Sequence, residues 1–240
     1  MLGRRLTTRF NCAFFRGFHD TPAPRHDPPI NLASRDRSNV LPRIGRRFPI
    51  VTAEMVLPSK EITTFNTLEG QTKSKFSVFN FFPGCFSQVC PTEVCAFGKS
   101  IQNFEKLGCQ IFGVVVADPE VVQHWISTDP EIGGAKGIKF PIICDHSQRL
   151  SKYSNSFDYT RSSPNRSTFI IDSEGFIRYF QFLPKNIGRS VSEITRIASC
   201  LKHIDEHIDR CTPANWQPND RDISINEPNL SEYFENCSTK

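Results

Sequence analysis

Short apolar runs alternate along the chain with longer segments in which apolar residues recur every three or four positions. The short runs are rich in Phe, Val and Ile, which favour buried strands. Four stretches predict strands of this kind: SKFSVFNFFP (74–83), QIFGVVVA (110–117), FPIIC (140–144) and STFIIDSEGFIRYFQF (167–182). The last contains the turn sequence DSEG and therefore predicts two strands joined as a hairpin.

Helical periodicity begins directly after Cys90. The apolar positions of one face are Val94, Phe97, Ile101, Phe104 and Leu107. Gly108 is suited to ending this helix. A shorter helix is predicted over 119–128. A last helix begins at Ser190, where Ser190 and Glu193 have the spacing of a capping box.

The resulting order is strand, helix, strand, helix, strand, hairpin and helix. Helical crossovers imply parallel strand pairs, and the hairpin adds antiparallel ones. This order predicts an α/β thioredoxin-like fold with a mixed central sheet flanked by helices. We expect the domain to span residues 46–206, followed by a polar C-terminal arm over residues 207–240.

The start of the chain has a different composition. Residues 1–48 contain many arginines, no lysine and no glutamate. As a helix, the first residues would form an apolar stripe with the arginines placed largely away from it. This pattern is typical of a mitochondrial transit peptide followed by a proline-rich linker. We therefore expect residues 1–45 to be disordered or removed and the protein to lie in the mitochondrial matrix, a disordered basic tail being the alternative.

The overall composition favours a soluble globular protein, with 38% hydrophobic and 22% charged residues. No apolar run approaches the roughly 18 residues of a membrane helix. The net charge of +4 is small, and much of it comes from the N-terminus. We therefore expect no nucleic-acid partner and no membrane partner.

Nine cysteines are scattered along the chain. The odd number and irregular spacing do not resemble a secreted disulfide framework, so mostly free thiols in a reducing compartment are expected. The chain has no CxxC pair, and we predict no metal site. A metal site formed by Cys85, Cys90 and Cys95 is the less favoured alternative.

Cys90 has the best position for a nucleophile. It lies at a strand-to-helix junction, and Pro91 suits the first helical turn. Free N–H groups and the helix dipole favour an anion there, so the thiolate of Cys90 is favoured. Cys85 lies in the preceding loop, and Cys95 is predicted to pack inside the helix. Taken singly, most such cysteines are inert buried thiols.

The stretch FFPGCFSQVCPTEV (81–94) resembles the active-site loop of the peroxiredoxins. FEKLGCQIFGVVVAD, STFIIDSEGFIR, IGRSVSEITRI and CTPANWQP resemble segments of typical 2-Cys peroxiredoxins in the same order. The resemblance covers about residues 48–240 and is closest to the mitochondrial, thioredoxin-dependent type.

The resemblance implies a role for each site residue. Cys90 would be the peroxidatic cysteine, and Cys211 would be the resolving cysteine. Pro83 would shield the pocket, and Ser87 would hydrogen-bond the peroxide. Arg166 would be the active-site arginine. Glu93 and Arg178 would be the supporting pair that orients it.

The implied activity is reduction of hydrogen peroxide and small alkyl hydroperoxides without a cofactor. Cys90 would become a sulfenic acid, which a second thiol condenses to a disulfide. The resemblance implies that Cys211 of a partner subunit supplies this thiol and that thioredoxin is the reductant. A homodimer or a ring of dimers follows from the intersubunit pairing. Cys95 is a rival for resolution, but positions five apart in an intact helix are too far apart for a disulfide. The rival functions are a holdase chaperone or redox relay and a glutathione-dependent peroxidase.

Overall fold

The computed structural model describes residues 41–72, 74–226, 230 and 233–234. The predicted transit peptide therefore lies almost entirely outside the described residues. The strands are β1 (Thr52–Val56), β2 (Ile62–Asn66), β3 (Phe76–Phe81), β4 (Cys109–Val115), β5 (Ile142–Cys144), β6 (Phe157–Asp158), β7 (Ser163–Pro164), β8 (Arg166–Asp172), β9 (Ile177–Leu183), β10 (Arg210–Cys211) and β11 (Ile223–Ser224). The helices are α1 (Thr67–Thr72), α2 (Cys90–Lys106), α3 (Pro119–Ser127), α4 (Arg149–Tyr153) and α5 (Val191–Glu206).

Seven strands form the central sheet in the order β2-β1-β5-β4-β3-β8-β9. The pairs β3–β4 and β4–β5 are parallel, as their helical crossovers require. The other pairs are antiparallel. The predicted mixed sheet of a thioredoxin-like fold is thus confirmed.

Each face of the sheet buries its own apolar layer, because successive side chains of a strand point to opposite faces. Phe76 and Val78 of β3 belong to the layer beneath α2 and α5. Phe79 and Phe81 belong to the opposite layer. In that layer Phe79 stacks on Phe48 and on Phe112, with ring centroids 4.7 and 5.0 Å apart. The paired layers hold β3, and hence the start of the loop before α2, in a fixed position.

The predicted helix boundaries are confirmed for the long helices. After α2, Gly108 has a φ of +71°, and its N–H donates to the Glu105 carbonyl. At the start of α5, Ser190 Oγ accepts from the Glu193 N–H at 3.2 Å. The second half of the predicted capping box does not form, because the Glu193 carboxylate pairs with Arg196.

The pattern of apolar residues did not reveal the hairpin of β1 and β2 or the short helices α1 and α4. The prediction that Cys95 packs inside α2 is wrong, because the side chain is exposed. Among the described residues, no helix is long and apolar enough to span a membrane.

Candidate active site

Cys90 is the first residue of α2 and is fully buried. The loop that leaves β3 returns the chain here, and Pro91 occupies the first turn, where a missing N–H costs nothing. The Cys90 N–H donates to Ser87 Oγ at 3.1 Å. Ser87 therefore caps the helix start through its oxygen, and its hydroxyl hydrogen remains free to donate to another group.

Arg166 is brought to Cys90 by the pairing of β3 with β8. The strands are antiparallel, so the end of β3 at Phe81 lies opposite the start of β8 at Ser167. Arg166 is only 1% exposed, and its Nη1 lies 3.6 Å from Cys90 Sγ. Its Nη2 donates to the Lys185 carbonyl at 2.5 Å. A buried guanidinium is thus directed at the sulfur, where it stabilises a thiolate.

Glu93 holds this arginine in place. It lies one helical turn after Cys90 and is 2% exposed. Its Oε2 accepts from Arg166 Nη1. Its Oε1 accepts from the backbone N–H and the Nε of Arg189 at 2.7 and 3.2 Å. One buried carboxylate therefore bridges two buried guanidinium groups.

Arg189 precedes α5 and is also buried. Burial lowers its pKa to about 10, and the negative charge of Glu93 opposes this effect. Its guanidinium lies over the Phe82 ring, 4.7 Å from the centroid. The helix dipole disfavours a cation just before a helix N-terminus. An arginine at this position of the sequence therefore indicates a specific anionic partner. The sequence prediction missed Arg189.

The structure contradicts the pairing of Arg178 with Glu93. Arg178 lies on β9, where its guanidinium binds Asp205 at 2.7 Å and Asp172 at 3.6 Å. Both oxygens of Glu93 are occupied by Arg166 and Arg189. Arg178 instead lines a shallow surface groove that also contains Cys211. The supporting arginine of the site is therefore Arg189.

The loop between β3 and α2 contains Pro83 and Cys85, both partly buried. Burial and, to a smaller extent, the nearby Cys90 raise the pKa of the Cys85 thiol to about 12. Cys85 therefore keeps its proton at neutral pH and is a poor nucleophile. No contact of Pro83 tests its predicted shielding role, which stays a prediction.

Cys211 is exposed in the short strand β10, which pairs with β11. The surrounding arm packs on α5. Trp216 is buried, and its ring lies 4.8 Å from that of His203. When His203 carries its proton on Nε2, Asp222 accepts a hydrogen bond from this nitrogen at 2.7 Å. Asp222 also forms an ion pair with Arg210 at 3.3 Å. The structure contains one chain and does not bring Cys211 to Cys90.

Among the described residues, no group of three or more His, Cys, Asp or Glu side chains is placed to hold a metal ion. The cluster of Cys90, Arg166, Glu93 and Arg189 can stabilise a thiolate and direct a cationic donor at its surroundings. This combination suits nucleophilic attack by sulfur on a small polar molecule.

Residues 44–180 match the family model described as the AhpC/TSA family. The chain is 33% identical over 207 residues to the chloroplastic 2-Cys peroxiredoxin BAS1 of Arabidopsis thaliana, covering 85% of this chain and 76% of that one. The crystal structure of reduced 2-Cys peroxiredoxin from Plasmodium vivax superposes with a TM-score of 0.75 at 27% identity, covering 80% of this chain and 98% of that one. The structure of thioredoxin peroxidase I from Plasmodium yoelii superposes with a TM-score of 0.64 at 28% identity, covering 72% and 98%.

Proposed function

Because this chain belongs to the AhpC/TSA family and is a peroxiredoxin, a class of thiol peroxidases, we propose that it reduces hydrogen peroxide and small alkyl hydroperoxides through Cys90. The 3.6 Å contact between Arg166 Nη1 and Cys90 Sγ, inside a buried site at a helix start, carries this proposal. The family match favours a peroxidase over a holdase chaperone with little turnover.

In the proposed reaction, the Cys90 thiolate attacks one peroxide oxygen. The S–O bond forms as the O–O bond breaks, and hydroxide or alkoxide leaves and takes a proton from water. Cys90 is oxidised to the sulfenic acid while the peroxide is reduced.

Thiolate formation alone does not account for enzymatic rates. A free cysteine is only about 3% ionised at pH 7, so complete ionisation would give about a thirtyfold gain. Enzymes accelerate reactions by about 10⁶-fold or more. Arg166 and the Ser87 hydroxyl are donors that would stabilise the charge that develops on the peroxide oxygens.

Cys211 of a partner subunit is the proposed resolving thiol. Its sulfur would displace water from the sulfenic acid, giving a disulfide between the subunits of a homodimer or a ring of dimers. Its exposure on the arm supports a role in exchange with another chain. The similarity to a thioredoxin peroxidase supports thioredoxin as the dithiol that reduces this disulfide.

The mitochondrial matrix is the proposed location, and this proposal rests on the arginine-rich, acid-poor pattern of residues 1–45. A fusion of residues 1–45 to a fluorescent reporter would test it. The matched control replaces Arg4, Arg5 and Arg9 by Glu. Import of the first fusion alone supports the location, whereas a cytosolic first fusion overturns it.

An NADPH-coupled assay with thioredoxin and thioredoxin reductase would test the activity. We expect NADPH consumption that depends on peroxide and is lost in Cys90→Ser. Replacement of the thioredoxin system by glutathione, glutaredoxin and glutathione reductase separates the two possible reductants. No peroxide consumption with either system would overturn the proposed function.

A further inference from the structure

Asn80 lies in the sheet layer beneath α2 and α5, where its side chain is fully buried. On β3 it shares a face with the apolar residues Phe76 and Val78. Its cross-strand partner on β8 is Thr168, two positions after Arg166 on the same face. A polar amide thus lies at the end of an apolar row, close to the active-site arginine.

The carbonyl oxygen of Asn80 accepts two hydrogen bonds. Thr168 Oγ1 donates at 2.9 Å, and Arg189 Nη1 donates at 3.0 Å. The opposite orientation of the amide would place its NH₂ group against the Arg189 guanidinium, which can only donate. The orientation of Asn80 is therefore fixed by its neighbours.

The amide nitrogen of Asn80 makes no hydrogen bond among the described residues. An unpaired buried donor costs free energy, which a leucine of similar size would not incur at this position. The useful group at position 80 is therefore the carbonyl oxygen that receives Arg189.

Arg189 carries this contact to the reaction centre. Its guanidinium is also held by the Phe81 carbonyl at 2.6 Å, which leaves Nε directed at Glu93. Glu93 in turn binds the same Nη1 of Arg166 that contacts Cys90 Sγ. The series Asn80, Arg189, Glu93, Arg166 and Cys90 is continuous, and each adjacent pair is in direct contact.

We propose that Asn80 is a positioning residue for the peroxidatic reaction, fixing Arg189 so that Glu93 presents Arg166 to the Cys90 sulfur. The inference rests on the proposed function only in taking Cys90 as the nucleophile. Without the Asn80 oxygen, Arg189 Nη1 keeps its longer contacts with the Ser167 carbonyl and Thr168 Oγ1, both at 3.4 Å. The guanidinium would then turn toward Glu93, shift the carboxylate and displace Arg166 from the sulfur.

Asn80→Leu and Asn80→Asp test this role. Leucine removes the acceptor without adding charge. Aspartate keeps an acceptor at position 80, but its carboxylate competes with Glu93 for Arg189. Glu93 would then lose its contact with Arg189 and pair with Arg166 alone. Ser77→Ala is the matched control, since Ser77 lies on the same strand, is equally buried and donates to the Gly70 carbonyl at 2.7 Å.

The measurement is the single-turnover rate of Cys90 oxidation by hydrogen peroxide without a reductant, followed by alkylation and mass spectrometry across a pH series. We expect Asn80→Leu to be about tenfold slower at neutral pH, the effect of losing one hydrogen bond to a charged group. The midpoint of its pH profile should rise because the thiolate loses stabilisation. Asn80→Asp should raise the midpoint further, and Ser77→Ala should match the wild type.

A purely structural role predicts altered thermal stability with an unchanged pH midpoint. Wild-type rates and midpoints in both Asn80 variants would overturn the inference. If Asn80→Leu does not fold, the midpoint of Asn80→Asp decides the question. Failure of the wild-type Cys90 to react at all would instead overturn the proposed function, so the two failures are distinguishable.

Discussion

Arg166 contacts the sulfur of Cys90 at 3.6 Å although the two residues are 76 positions apart in the chain. Two strands and a helix start are needed to form this contact. The guanidinium is also tied to Glu93, which lies on the same helix as the cysteine. The relative position of nucleophile and cation therefore depends on the sheet and on α2 together.

Arg166→Lys should lower the second-order rate constant for peroxide by about 10²–10³-fold, comparable to loss of a main transition-state donor. Lysine keeps the charge but cannot bind Glu93 and the site of reaction at once. Arg178→Lys is the matched control and should retain wild-type activity, because Arg178 pairs with Asp205 away from Cys90. Equal loss in the two variants would contradict the assignment. Stopped-flow peroxide consumption provides the measurement.

Cys90→Ser should abolish peroxidase activity, whereas Cys85→Ser and Cys95→Ser should retain most of it. Of these three cysteines, Cys90 alone combines a helix start with a neighbouring guanidinium. Cys85 is held as a neutral thiol by burial, which raises its pKa to about 12. The three variants are compared in the thioredoxin-coupled assay. Full activity of Cys90→Ser would refute the assignment.

Cys211→Ser should react once with peroxide and should not turn over with thioredoxin. After oxidation the wild type should migrate on a non-reducing gel as a covalent dimer, and this variant as a monomer. Peptide mass spectrometry should find Cys90 joined to Cys211. A Cys90–Cys95 disulfide in the wild type would reverse the claim and identify Cys95 as the resolving residue.

Stability should fall at alkaline pH because three buried or partly buried thiols are protonated in the folded state. Burial raises the pKa values of Cys85, Cys109 and Cys144 from 9.0 to about 12. Unfolding exposes thiols that ionise near pH 9, so this stabilisation is fully present below pH 9 and is lost as pH rises toward 12. We expect Tm to fall progressively as pH rises above about 9, by about 2–4 °C per kcal/mol lost.

The control for this alkaline effect is Cys109→Ala with Cys144→Ala. Removing two of the three thiols should flatten the dependence of Tm on pH, whatever the absolute Tm of the variant. An identical slope in variant and wild type would show that other groups cause the loss.

The sequence predicted the long elements because their periodicity coincides with burial. Phe76 and Val78 of β3, and Val94 and Phe97 of α2, lie in the expected layer. The hairpin of β1 and β2 escaped prediction because β1 is exposed at its start and is fixed by pairing with β5, which is distant in sequence. Such pairing is a tertiary effect that local propensity does not contain.

The site was predictable only where single residues carry the chemistry. Cys90 followed from its helix-start position, and Arg166 and Glu93 followed from the resemblance. The second arginine was assigned to Arg178, but the side chain at that position on β9 faces Asp172 and Asp205. Arg189 comes from the turn before α5. Which of two arginines reaches a carboxylate depends on strand direction and register, which spacing alone does not give.

If Cys90 and Cys211 form the proposed disulfide, the complete burial of Cys90 and the exposure of Cys211 would require a conformational change in each reaction cycle. The two sulfurs could not join while α2 begins at Cys90, so the first turn of this helix would have to unwind during each turnover. Its local unfolding free energy then sets how long the sulfenic acid survives before it is trapped as a disulfide. A more stable first turn of α2 would favour fast reaction with peroxide. It would also prolong the exposure of the oxidised sulfur to a second peroxide molecule.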